Sequence, residues 1–80
     1  QTGGMFSAMT LAENVALPLQ LYSRYSADEI ADIVAYKLAL VGLAGFQAFY
    51  PAEISGGMLK RAALARAAWD VVEVRLAPAP

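Results

Sequence analysis

The chain has 80 residues, six Lys and Arg against seven Asp and Glu, no His and no Cys, for a formal charge of −1. That leaves room for one small domain, with no disulfide framework or thiolate nucleophile and no histidine to act as a base or zinc ligand. The charge balance offers no basic field for a phosphate backbone, which argues against nucleic acid as a partner.

Hydrophobic residues make up 59% of the chain and charged residues 16%, against a usual ~25% charged. The longest uncharged internal run, Leu38 to Ala52, has 15 residues and is interrupted by Gly42, Gly45 and Pro51. A spanning helix needs about 20 apolar residues, so none is expected. Residues 1–12 lack the basic lead-in of a secretion signal. The excess apolar surface is expected to lie against a body outside these residues, and the chain reads as a piece of a larger protein.

Three helix starts have a physical signature. Thr10-Leu11-Ala12-Glu13 has capping-box spacing, and Pro18 is expected to keep the helix it opens short. Tyr22 to Tyr25 reads as a connector. Ser26-Ala27-Asp28-Glu29 repeats the box, with two acids where the helix dipole favours them. Ile30, Ile33, Val34, Leu38 and Val41 then form a stripe at helical spacing, and Gly42 suits a left-handed C-cap. Residues 43–54 read as a loop with a short helical turn around Phe46 to Tyr50. Ser55 is a good N-cap for a third helix, Met58 to Trp69, which is rich in alanine and has no breaker. Val71 to Leu76 alternates like a strand, but no partner strand is expected. Residues 70–80, which end Ala77-Pro78-Ala79-Pro80, are expected to be a divergent, disordered tail.

Ile54-Ser55-Gly56-Gly57-Met58 is the segment with chemistry in it. Two glycines allow backbone to approach a ligand closely, and a helix N-terminus offers unpaired amides at a positive dipole end. The Ser55 hydroxyl can donate to a phosphate oxygen, while Lys60 and Arg61 are expected to keep the local field positive. The same three residues also serve as an ordinary N-cap after a flexible loop.

The longer string, Glu53-Ile54-Ser55-Gly56-Gly57-Met58-Leu59-Lys60-Arg61-Ala62-Ala63-Leu64-Ala65-Arg66-Ala67, resembles the signature motif of ABC-type ATPases. Upstream, Thr10-Leu11-Ala12-Glu13-Asn14-Val15-Ala16-Leu17-Pro18-Leu19 is similar to the family's segment after the Q-loop, so Gln1 falls at the Q-loop glutamine. Leu40-Val41-Gly42-Leu43 and Tyr50-Pro51 stand where the family has similar runs. The resemblance covers residues 1–68. Met58, Lys60-Arg61 and the following Ala-rich helix look most like ATP-binding subunits of phospholipid-transport (Mla/Mkl-type) systems.

The resemblance implies a mainly α fold: the helical subdomain, three to four helices, of a P-loop α/β ABC ATPase, incomplete here and running over residues 1–69 from Q-loop to signature helix. It implies that Ser55, Gly56, Gly57 and Met58 contact ATP held by a second ATP-binding subunit, with Mg²⁺ and ATP bound only by the complete dimer. Gln1 would sense the phosphate, Mg²⁺ or attacking water. Met5, Phe6, Met9, Phe49 and Tyr50 would form an apolar bed for a transmembrane permease subunit, which places the protein peripherally on the cytoplasmic face of the inner membrane.

The chain departs from the family pattern in three ways. It has no Gly-x-x-x-x-Gly-Lys-Ser/Thr phosphate loop and no switch histidine. Its Asp28-Glu29 pair opens a helix, so it cannot be the Walker B pair. No catalytic residue is therefore expected within these residues, and the chain alone should be inactive. The alternative is a small helical protein-interaction module with no nucleotide role.

Overall fold

The computed structural model describes residues 4–69. Gln1 and the expected tail at residues 70–80 lie outside the described residues. Those described form three α-helices, α1 (Leu11–Tyr22), α2 (Ala27–Leu40) and α3 (Gly56–Ala67), with a one-turn 3-10 helix at Pro51–Glu53 and no strand among them. This all-helical architecture agrees with the expected helical subdomain. No helix among the described residues is long and apolar enough to cross a membrane.

Both capping boxes form. The Thr10 hydroxyl accepts from Glu13 N–H at 3.1 Å while the Glu13 carboxylate accepts from Thr10 N–H at 2.8 Å. Ser26 and Glu29 repeat the exchange at 3.1 and 2.8 Å. The second helix ends as its sequence predicts. Gly42 takes φ +78° and donates to Ala39 O, and Leu43 N–H reaches Leu38 O at 2.8 Å. This is a Schellman closure, and Leu38 and Leu43, the apolar pair that accompanies it, are both fully buried.

Pro18 does not end α1. The helix runs on to Tyr22 with the proline inside it. A proline at this depth costs about 3 kcal/mol in a lost hydrogen bond and a clash one turn back. Burial of Pro18 and Leu19 in the core offsets that loss. The end is closed by Ser23, whose N–H and hydroxyl both donate to Leu19 O. The connector between α1 and α2 therefore begins at Ser23. The helical turn expected around Phe46 to Tyr50 is displaced to Pro51–Glu53, where Pro51 supplies a preset φ at the first position. Residues 43–49 form turns instead.

α1 packs on both α2 and α3, which touch each other less. Its Leu11, Val15 and Leu19 meet Ile30, Ile33, Val34 and Leu38 of the α2 stripe, and Met5 joins them from the preceding loop. Asn14 is fully buried among these side chains. Its Oδ1 accepts from Phe6 N–H at 2.7 Å, and its Nδ2 donates to the carbonyls of Phe6, Met9 and Thr10 at 3.0, 3.1 and 2.9 Å. One side chain thus clasps the whole approach to α1. Two further backbone bonds, Leu11 N–H to Phe49 O and Ala12 N–H to Gln47 O, tie the 46–50 loop to the same helix end.

Two predictions follow from these contacts. Asn14→Ala leaves the Phe6 amide and the Met9 carbonyl without their partner and removes one of two donors from the Phe6 and Thr10 carbonyls, a loss of about 2 kcal/mol, so the thermal midpoint of helicity at 222 nm should fall by about 10 °C. Gly42→Ala places a Cβ at positive φ and 2.9 Å from Arg61 Nη1. It should lower the same midpoint by about 5 °C, from a backbone cost of about 1 kcal/mol, and Gly42→Asn should lower it less.

Candidate functional site

The candidate site is the first turn of α3. Its helix begins after Ser55, whose hydroxyl accepts from Met58 N–H at 3.1 Å, and Leu59 N–H bonds to Ser55 O at 2.9 Å. Met58 has its amide engaged in the cap, and its side chain is half-buried against the core. Gly56 and Gly57 have no N–H acceptor among the described residues, and both are exposed, as is Ser55. The open donors are therefore the Gly56 and Gly57 amides and the Ser55 hydroxyl proton.

Neither glycine is required by the fold. Positive φ occurs only at Gly4, Gly42 and Gly45 among the described residues, and a Cβ on Gly56 or Gly57 would meet nothing within 4 Å. Glycine is costly in a helix relative to alanine, by roughly 0.5–1 kcal/mol. Two adjacent glycines where alanine would fit leave the approach to the amides clear from outside the chain.

The electrostatics of the three N-termini differ. α1 carries Glu13 in its first turn and α2 carries Asp28 and Glu29, whereas α3 carries no acid there. The partial positive charge at a helix N-terminus is roughly half a unit, and on α3 no carboxylate of its first turn neutralises it. Glu53 lies just upstream, but its carboxylate accepts from Tyr50 N–H at 2.8 Å. Lys60 is exposed one turn into the helix. Arg61 Nη1 donates to Val41 O at 3.2 Å, at the C-terminal end of α2. One Arg61 donor is thus engaged at the α2 terminus, where the helix dipole favours a cation.

The C-terminal end of α3 is fastened in a way that the sequence pattern concealed. Lys37 is 3% exposed, and its Nζ donates to Ala65 O at 3.1 Å and Ala68 O at 2.6 Å. Its place in the i, i+3, i+4 stripe with Ile33, Val34 and Leu38 is the signal the sequence offers for this burial. Of the expected apolar bed, Met5 is core, Met9 is half-buried, and Phe6, Phe49 and Tyr50 stay 39–42% exposed. Phe46 and Phe49 pack with centroids 4.7 Å apart. Among the described residues no cluster of His, Cys, Asp or Glu could hold a metal ion.

No protein-family model matches the chain. Over 67 residues, 84% of its length, it aligns with ATP-binding subunits of transport systems, and over that stretch it belongs with the Mla/Mkl type. It is 54% identical to the "Probable ribonucleotide transport ATP-binding protein mkl" of Mycobacterium tuberculosis. It is 45% identical to the "Intermembrane phospholipid transport system ATP-binding protein MlaF" of Escherichia coli and of Haemophilus influenzae. The chain spans 19% of the Mkl relative and 25% of the MlaF relatives.

Gly57→Ala separates the fold from the site. With no neighbour in the way, the substitution should raise the thermal midpoint of the chain by a few degrees, the gain of roughly 0.5–1 kcal/mol expected for Gly to Ala in a helix. A lowered midpoint would show that the glycine serves the fold.

Proposed function

We propose that residues 1–69 are the helical subdomain of an ABC transporter ATP-binding subunit, from Q-loop to signature helix, and that the α3 N-terminus is its signature site. In this reading the Ser55 hydroxyl and the Gly56 and Gly57 amides donate to the terminal phosphate of an ATP bound by a second ATP-binding subunit, with Met58 N–H holding the cap that presents them. The donor set suits a phosphate: it is unneutralised, cation-flanked and free of side-chain bulk. Bound MgATP supplies the phosphoanhydride that is cleaved. The chain's own residues stabilise charge on the phosphate from one side, and Gln1 senses it. Phosphate loop, Mg²⁺ ligands and general base come from outside this chain.

The observation that carries the reading is the pair of exposed glycines whose absent Cβ atoms nothing among the described residues demands. The shared alignment with subunits named ATP-binding supports it. Phe6, Phe49 and Tyr50, exposed around the start of α1, form the surface proposed to receive the transmembrane permease subunit. That contact would hold the protein peripherally on the cytoplasmic face of the inner membrane. The cargo class we assign is phospholipid, in line with the MlaF relatives.

The test is Ser55→Arg in a complete subunit carrying this segment. The substitution costs the cap about 1 kcal/mol and puts a long cation where the phosphate would sit. ATP binding to the subunit's own phosphate loop should remain within about twofold of normal, while turnover falls at least about 100-fold, the size seen when a charge-stabilising donor is lost. Full turnover by this variant would remove the phosphate role. The 80-residue chain alone should show no ATP turnover in a phosphate-release assay.

A further inference from the structure

Arg66 lies on the last turn of α3, about 16 Å along the helix axis from Ser55. Its guanidinium carbon sits 5.3 Å from the centroid of the Phe6 ring. The backbone of Gly4 is also close, since an added Cβ there would come 3.4 Å from Arg66 Nη1. The Nε atom is buried and has no hydrogen-bond partner. An orphaned buried donor is unfavourable, so the head group is held there by the ring and by packing instead of by a bond at Nε.

Phe6 is itself anchored. Its N–H and carbonyl both bond to the buried Asn14 side chain of α1. A continuous set of contacts therefore runs from α3 through Arg66 and Phe6 to Asn14. It joins α3 to α1 independently of the Lys37 tie to α2. A planar cation on an aromatic face has a preferred stacking geometry, whereas a flexible apolar side chain of similar length would fill the space without orienting the helix.

We propose that Arg66 is a positioning residue: through Phe6 and Asn14 it sets the tilt of α3 on α1, and so the aim of the Ser55, Gly56 and Gly57 donors. This rests on the reading of those donors as ATP-contacting. A helix behaves as a stiff lever over three turns, so a small rotation at Arg66 displaces the first turn relative to a phosphate held by another subunit. Misplacement by about 1 Å is enough to cost large factors in rate.

The experiment measures ATP turnover and ATP affinity in the complete subunit dimer for Arg66→Met, Arg66→Lys, Phe6→Leu and the Arg66→Met/Phe6→Leu double variant. Arg66→Met and Phe6→Leu should each lower turnover about tenfold, with ATP affinity within twofold. The double variant should be no slower than Arg66→Met alone, because both changes interrupt one path. Arg66→Lys, which keeps a cation over the ring but not its planar stacking, should recover part of the rate. Wild-type turnover in Phe6→Leu, additive losses in the double variant, or lysine no better than methionine would each overturn the proposal. Should Arg66→Met fail to fold, Phe6→Leu decides alone. Ser55→Arg in the same series separates the two claims: if it turns over normally, the phosphate reading fails; if it is inactive while Phe6→Leu is normal, only the role of Arg66 fails.

Discussion

The buried tie from Lys37 to the end of α3 is the constraint on which the arrangement depends. α3 fully buries only Ala62 and Ala65, side chains too small to anchor a helix by area alone. Lys37 supplies the direction that this packing lacks, through two carbonyls of the last turn that no helical amide can satisfy. Hydrogen bonds from a charged donor contribute roughly 1.5–3 kcal/mol each, against several kcal/mol to desolvate the ammonium. The net gain is small, but the geometry it selects is definite. Because the helix is pinned near its C-terminus, its first turn can stay exposed without α3 coming away from the domain.

The same logic explains why the three helix starts are built differently. α1 and α2 close on themselves with reciprocal boxes, each acid neutralising its own helix end. α3 keeps a hydroxyl cap but no carboxylate in its first turn. A box there would have been worth a few tenths of a kcal/mol to about 1 kcal/mol, and alanine for the glycines a similar amount. The sequence forgoes both at one place. Neighbouring local choices that each sacrifice stability at a single exposed point are what a binding surface looks like when the rest of the molecule follows the rules.

Elements governed by short-range rules were legible in the sequence. The boxes at Thr10 and Ser26, the core stripe of α2, the Gly42 closure and the Ser55 cap each depend on residues within one turn of each other, and each formed as its spacing predicts. The misreadings came from contacts across the domain. Pro18 looked like a terminator because propensity counts its lost bond but not the burial that offsets it. The bond from Arg61 to the Val41 carbonyl, 20 positions away, has no signature in the linear sequence. Met5 looked like surface, yet the Asn14 clasp draws its loop inward until it is 2% exposed. At the candidate site the Ser55 cap and the paired glycines were legible, whereas the contact between Arg66 and Phe6 joins residues 60 positions apart in sequence.

Side chains left in water complete the physical picture. Leu21, Tyr22, Leu40 and Leu64 are 60–69% exposed and are distributed over all three helices. Tyr22 covers part of its area by stacking on Trp69 at 5.6 Å. Each fully exposed leucine or tyrosine forgoes roughly 1.5–3 kcal/mol of burial, a large sum beside a domain stability of a few kcal/mol. The chain spans 19–25% of the relatives it matches, and these exposed side chains stand outside the core that holds the three helices in register. Inside the domain the buried polar groups of Asn14 and Lys37 find backbone partners, as burial of such groups demands, while several apolar side chains on the outer faces of the helices stay in water.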